Sequence, residues 1–171
     1  MKKALFLDRD GVINVEKDYL YKIEDFEFID GIFDICRYFI KNGFEIFVVT
    51  NQSGIARKYY TKDDFYKLSE WMSDKFKKEG VDIKKIYFCP HHETISGSCE
   101  CRKPKPGMLL DARDEFGIDM ESSVLIGDKE RDIEAGLNAG LKTTYLFDES
   151  DKVKNSKATK IVKNLYEIME K

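Results

Sequence analysis

The chain has 171 residues, enough for one domain with a sizeable core and too few for two ordinary ones. Its 29 Lys and Arg nearly balance 32 Asp and Glu, and the formal charge of −3 excludes a nucleic-acid binder that works by bulk electrostatics. No stretch approaches the roughly 20 apolar residues that span a bilayer.

The apolar run after Met1-Lys2-Lys3 is cut by Asp8, too early for a secretory signal. A cytoplasmic protein with no membrane or nucleic-acid partner is therefore expected, and its four cysteines are read as thiols or metal ligands before disulfides. The first predicted strand, Ala4–Leu7, runs into Asp8-Arg9-Asp10-Gly11. Two carboxylates one residue apart at the mouth of a buried strand raise each other's pKa unless a cation resolves the repulsion. Oxygen ligands of this kind suit Mg²⁺, so the pair points to magnesium-dependent chemistry on a phosphate ester. Residues 9–30 then form a link far longer than the usual βα loop of about 2–6 residues. Within it Asp18–Tyr21 and Phe26–Ile29 are predicted to pair as a small hairpin over the site, acting as a lid rather than an idle insertion.

A helix is predicted from Gly31 to Asn42, closing at Gly43. The second strand, Ile46–Val49, leaves as Thr50-Asn51-Gln52-Ser53-Gly54, a polar loop able to aim hydroxyl and N–H groups at a phosphate. A helix over Thr61–Lys78 opens with a Thr61-x-x-Asp64 cap, and a third strand covers Ile86–Phe88. Pro106 opens a helix that stops at Gly117. The strand Val124–Ile126 is followed by Gly127-Asp128-Lys129-Glu130-Arg131-Asp132, a helix over Arg131–Asn138, the strand Thr144–Phe147 and a last helix over Asn164–Glu170. Strand–helix alternation predicts a doubly wound, Rossmann-like α/β fold, a parallel sheet of about five strands with helices on both faces in one domain, 1–171. Ligands bind at the carboxyl ends of such strands, which here carry Asp8, Thr50, Cys89 and Asp128.

The second long link, Cys89 to Lys105, has no secondary-structure signal and needs another source of order. Cys89-x-His91 and Cys99-x-Cys101 supply three thiolates and an imidazole, the ligand set of a closed structural zinc site, although Cys-x-Cys is tighter than the usual Cys-x-x-Cys. His92 is an alternative to His91, and exposed thiol pairs are the alternative to a metal. Cys36, on the first helix, reads as a buried core thiol. Two prolines stiffen Arg102-Lys103-Pro104-Lys105-Pro106, so its cations are presented with little freedom.

Asp8-x-Asp10-Gly11, Thr50, Lys103 and Gly127-Asp128-x-x-x-Asp132 resemble the four motifs of the haloacid dehalogenase (HAD) superfamily, from residue 4 to about residue 147. Asp8–Asn14, Thr50–Arg57, the cysteine loop and Cys101–Met108 resemble in particular its heptose-1,7-bisphosphate 7-phosphatases, whereas the related histidinol-phosphate phosphatases differ after Thr-Asn-Gln. Lys58 stands where the heptose enzymes often have Gly. The resemblance implies a monomeric phosphatase without a large cap domain, acting on a small phosphorylated sugar in nucleotide-activated heptose and lipopolysaccharide biosynthesis. A histidinol-phosphate or other sugar-phosphate phosphatase is the alternative. It implies Asp8 as nucleophile, Asp10 as acid and base, and Thr50 and Lys103 on the phosphoryl oxygens. Mg²⁺ would be held by Asp8, the Asp10 carbonyl and Asp128, with Asp132 orienting Lys103 or metal-bound water. Glu16, Lys17, Asp18, Tyr19, Asn51, Gln52, Ser53, Arg102 and Lys129 would contact the sugar or its second phosphate. A phosphorylated receiver also uses Asp, Thr and Lys on a parallel sheet, but its acceptor Asp ends the third strand, where this chain has Cys89-Pro90-His91.

Overall fold

A computed structural model describes residues 1–170. Its strands are β1 (Lys3–Leu7), β2 (Phe44–Asn51), β3 (Ile83–Cys89), β4 (Val124–Gly127), β5 (Thr143–Phe147) and β6 (Lys160–Val162). Its α-helices are α1 (Ile32–Lys41), α2 (Lys62–Lys78), the short α3 (Glu93–Ser96), α4 (Gly107–Phe116) and α5 (Glu130–Asn138). All strand pairs are parallel, in the order β3-β2-β1-β4-β5-β6. The chain winds outward from β1 to β3, crosses to β4, and winds outward again. The order therefore reverses between β1 and β4, where the carboxyl ends of an open α/β sheet form their crevice.

Side-chain alternation explains why the strands read as continuous apolar runs. Leu5, Leu7, Ile46, Val48 and Ile126 face α1 and α2 and pack with Ile35, Phe39, Met72 and Phe76. Ala4, Phe6, Phe47, Val49 and Leu125 face α4 and α5 and pack with Met108, Leu109, Ala112 and Ile133. A strand covered on both faces has no polar side to show. The Thr61–Asp64 capping box forms as predicted, Asp64 N–H donating to Thr61 Oγ1 at 3.1 Å and Thr61 N–H to Asp64 Oδ2 at 2.9 Å.

Four expectations are corrected. The sheet has six strands, the additional one being β6, which adds to the outer edge of β5. The final helix is a 3-10 turn over Leu165–Met169, capped by Asn164. The hairpin in 9–30 does not form: Asp18 and Tyr19 take φ of 41° and 58°, a left-handed conformation incompatible with a strand. The pairing falls earlier, with Val15 N–H donating to Glu27 O and Ile29 N–H to Ile13 O, both at 2.9 Å. Val12, Ile13 and Leu20 are buried, so the loop is packed onto the body of the domain by its own apolar residues. The 89–105 link also contains structure, the α3 turn, whose N-cap is His92.

Candidate active site

Asp8 follows β1 at the reversal of strand order, its N–H donating to Ile126 O of β4 at 3.2 Å. Asp128 follows β4, and Gly11 lets the two approach. A Cβ at Gly11 would lie 2.1 Å from Asp128 Oδ2, and φ there is +92°. Lys103 arrives from the loop before α4 with only 2% of its surface exposed. Its Nζ lies 3.0 Å from Asp8 Oδ1 and 2.7 Å from Asp132 Oδ1, and donates to Val49 O at 2.9 Å. Asp132, in the first turn of α5, accepts with Oδ2 from the N–H groups of Asp128 and Lys129, both at 3.1 Å.

One lysine does not balance this charge. Asp8, Asp128 and Asp132 each offer an oxygen within 4.8 Å of the others, and the buried Asp128 Oδ1 has no hydrogen-bond partner among the described residues. Burial pushes the Asp8 carboxyl well up, and Asp132 adds to this against the pull of Lys103. Burial, then Asp132, pushes Asp128 to about 6. Asp132 goes the other way, because Lys103 overcomes its burial. Lys103 is itself held above the ordinary lysine range by Asp132 and Asp8, against its own burial. Hard oxygen donors with uncompensated negative charge fit a divalent cation such as Mg²⁺.

Asp10 lies apart from that cluster. Its carboxylate accepts from Arg9 (Nη2 at 3.0 and 3.1 Å, Nε at 3.3 Å), from Asn14 Nδ2 at 3.0 Å and from Gln52 Nε2 at 3.1 Å. Arg9 also donates to Leu20 O at 3.0 Å and is 1% exposed. The side chain between the two carboxylates is therefore a buried strut joining Asp10 to the 9–30 loop. Thr50 is buried under the loop after β2, its Oγ1 accepting from Gln52 Nε2 at 2.9 Å.

A pocket of about 410 Å³ is lined by Asp8, Asp10, Lys103 and Asp128 together with Glu16, Asp18, Tyr19, Asn51, Gln52, Ser53, Arg102 and Lys129, while the buried Thr50 and Asp132 are outside its lining. Burial, then Asp10, raises the Glu16 carboxyl. Of the substrate contacts implied by resemblance, only Lys17 is outside the lining; its Nζ donates to Asp25 O at 2.8 Å and braces the loop. Arg57, Tyr60 and Arg131 line the pocket without having been anticipated. Arg57, Arg102, Lys129 and Arg131 have no carboxylate partner within ion-pair distance among the described residues. Four free cations at the mouth of one pocket suit a polyanionic ligand.

Beside it, the sulfurs of Cys89, Cys99 and Cys101 lie within 4.8 Å of one another, with Cys89 Sγ 3.6 Å from Cys99 Sγ. Disulfide sulfurs lie about 2.05 Å apart. Thiolates sharing a tetrahedral zinc at Zn–S of about 2.3 Å lie about 3.8 Å apart, so the spacing fits a common metal. His91 is not in the cluster; its carbonyl accepts from Arg102 Nη1 at 3.3 Å. His92 Nδ1 is engaged by Thr94, whose N–H donates to it at 3.3 Å and whose Oγ1 lies 2.9 Å away. Cys36 is a buried thiol pushed up to about 12, matching its expected place in the core.

Known proteins share both the sequence and the arrangement. A HAD-hydrolase-like family model matches residues 100–168. The D-glycero-alpha-D-manno-heptose-1,7-bisphosphate 7-phosphatase of Campylobacter jejuni is 58% identical over 150 residues, covering 88% of this chain and 85% of its own. The chain belongs to the heptose-1,7-bisphosphate 7-phosphatase family of HAD-like hydrolases. The D-glycero-beta-D-manno-heptose-1,7-bisphosphate 7-phosphatase of Yersinia pestis is 49% identical over 148 residues, covering 84% of this chain and 79% of its own. A D,D-heptose 1,7-bisphosphate phosphatase from B. bronchiseptica, solved with magnesium and phosphate, superposes with a TM-score of 0.85 at 25% identity, covering 97% and 95% of the two chains. Membership of the HAD-like family implies Mg²⁺ as cofactor, in keeping with the Asp8–Asp128–Asp132 cluster. No helix among the described residues is long and apolar enough to cross a membrane.

Proposed function

We propose that this chain hydrolyses the 7-phosphate of D-glycero-D-manno-heptose 1,7-bisphosphate through an aspartyl-phosphate, as a single domain whose 9–30 loop takes the place of a cap. The observation that carries the reading is the buried Asp8–Lys103–Asp132 ion-pair chain beside Asp128, whose Oδ1 is buried without a hydrogen-bond partner, under a rim of free cations. Asp8 attacks phosphorus, and the bond from phosphorus to the sugar oxygen breaks as Asp10 donates a proton to that oxygen. Asp10 then takes a proton from the water that attacks the aspartyl-phosphate, releasing phosphate and restoring the Asp8 carboxylate. Lys103 keeps its charge against the phosphoryl oxygens, and Thr50 donates its hydroxyl hydrogen to them. Asp8 and Asp128, with the Asp10 carbonyl, would hold Mg²⁺, which would supply Lewis-acid neutralisation of the phosphate charge. Asp132 acts through Lys103 and the N–H groups of Asp128 and Lys129.

The cationic rim also bears on the substrate. Arg57, Arg102, Lys129 and Arg131 suit the second phosphate of a bisphosphate and disfavour the ammonium of histidinol phosphate. We further assign Zn²⁺ to Cys89, Cys99 and Cys101, with His91, two residues after Cys89 and outside the sulfur cluster, as the proposed fourth donor. The test is Mg²⁺-dependent phosphate release from the α- and β-heptose bisphosphates and histidinol phosphate, side by side. Preferential turnover of a heptose bisphosphate is expected, and faster turnover of histidinol phosphate than of either anomer would overturn the assignment.

A further inference from the structure

We propose that Tyr60 is a positioning residue for phosphoryl transfer, fixing through Gln52 the hydrogen-bond polarity presented to Asp10 and Thr50. The inference rests on the roles of Asp10 and Thr50 proposed above.

The buried Tyr60 hydroxyl donates to Gln52 Oε1. A glutamine amide has one acceptor oxygen and two donor hydrogens. With Oε1 occupied by Tyr60, the NH₂ group must point the other way, and Nε2 lies 3.1 Å from Asp10 Oδ2 and 2.9 Å from Thr50 Oγ1. The inverted amide would set its oxygen against a carboxylate oxygen, on a Gln52 side chain that is almost wholly buried. Such a mismatch costs more than a missing hydrogen bond, because two acceptors are left facing each other. Burial raises the Tyr60 hydroxyl far above its usual range, so it remains a donor wherever the enzyme works.

The consequences reach two of the groups proposed to act on the substrate, Asp10 and Thr50. Gln52 shares Asp10 Oδ2 with Arg9, while Arg9 and Asn14 share Oδ1, so losing the amide frees one edge of the carboxylate to rotate. Thr50 Oγ1, by accepting from Gln52, is left with its own hydrogen to give. That hydrogen meets only the Asn51 carbonyl, at 3.4 Å, a long contact that a phosphoryl oxygen can replace. One tyrosine hydroxyl thus sets two catalytic hydrogen bonds at one remove.

The surroundings are shaped to hold the ring. A Cβ at Gly54 would lie 2.2 Å from the Tyr60 ring, so the polar loop can close over the tyrosine only with glycine there. Tyr21 of the 9–30 loop stacks on Tyr60 at 5.4 Å with 14° between planes. Packing alone would account for the ring and not for the hydroxyl, and this difference makes the proposal testable.

Tyr60→Phe keeps the ring and removes one oxygen. With the heptose bisphosphate, kcat should fall about tenfold or more while KM stays within about twofold. With p-nitrophenyl phosphate, whose leaving group needs no proton, the loss should be smaller. The double variant Tyr60→Phe/Gln52→Ala should be no slower than Gln52→Ala, because the hydroxyl acts only through the amide. Unchanged kcat in Y60F, or losses that multiply in the double variant, would overturn the proposal. Should Y60F fail to fold, Gln52→Met asks the same question from the other end, and full kcat there overturns it equally. If Asp10→Asn also turns over normally, the reading of the site itself is wrong and Tyr60 falls with it. A crippled D10N beside a silent Y60F removes Tyr60 alone.

Discussion

Asn51 grips the backbone of Lys103 on both sides, its Oδ1 accepting from the Lys103 N–H at 3.0 Å and its Nδ2 donating to the Lys103 carbonyl at 3.3 Å. The last residue of β2 thereby fixes the loop that carries Lys103, some fifty positions later in the chain. A long lysine is placed to hydrogen-bond accuracy only if its Cα is held, and the carboxyl end of an interior strand supplies that hold. Asn51→Ala should remove both bonds, each worth about 1 kcal/mol net. Because the pair acts on the charge proposed to face the phosphoryl oxygens, kcat/KM should fall about tenfold or more while the melting temperature changes by only a few degrees. Equal kcat/KM in N51A and wild type, measured by phosphate release, would show that Lys103 is held by its ion pairs alone.

Asp8 and Asp10 separate by chemistry. Asp8→Asn substitutes a poor nucleophile of nearly the same shape, so turnover should vanish on every substrate while the fold persists. Asp10→Asn should lose at least about a hundredfold with a sugar phosphate and much less with p-nitrophenyl phosphate. Equal losses on the two substrates would leave Asp10 as a structural partner of Arg9 and Asn14.

Much of this site was legible because its residues sit where buried strands end. Asp8, Thr50 and Asp128 each terminate an apolar run, and a two-faced strand signals its own end by its first polar residue. Arg9 was not legible. A charged side chain at a strand mouth is ordinarily solvated, and only the Asp10 carboxylate and Leu20 carbonyl make burial possible here. Lys17 lies outside the pocket lining, and sequence alone does not say that its ammonium turns to Asp25 O. Strand β6 escaped notice because three residues, Lys160–Val162, make too short a run to stand out, and only the partner β5 defines it. The hairpin failed because alternation in Asp18–Tyr21 gives no hint of two left-handed residues.

Asp128 gives the metal-free protein a pH dependence of definite sign. Its carboxyl is raised to about 6 by burial and Asp132, whereas an unfolded Asp titrates near about 4. The folded chain therefore holds this proton more tightly than the unfolded one, and the group's contribution to stability is full below about pH 4 and lost as pH rises through about 6. In EDTA, wild type should thus lose stability relative to Asp128→Asn between pH 5 and pH 7, and Mg²⁺ at pH 7 should restore it in wild type only. Melting curves of the two proteins across that range provide the check. A gap between them that does not change with pH would mean that Asp128 is not strained without metal.

The zinc assignment concerns shape rather than chemistry. The cysteine loop ends in Arg102 and Lys103, and Lys105 Nζ donates to Cys99 O at 2.5 Å, so the sulfur cluster and the cationic segment are one unit. Structural zinc binding is worth on the order of 10 kcal/mol in small peptides, and here part of that would order residues 89–105. Cys99→Ser or Cys101→Ser should lose one equivalent of metal. The two faces of the sheet core should survive, because Cys99 and Cys101 lie at its margin rather than within it. Substrate affinity and turnover should then fall together, as the loop that presents both cations loosens. Added Mg²⁺ should rescue neither, since a hard, oxygen-preferring ion is a poor match for thiolates. Elemental analysis of wild-type protein purified without chelator should find about one zinc per chain, and its absence in active protein would dismiss the site.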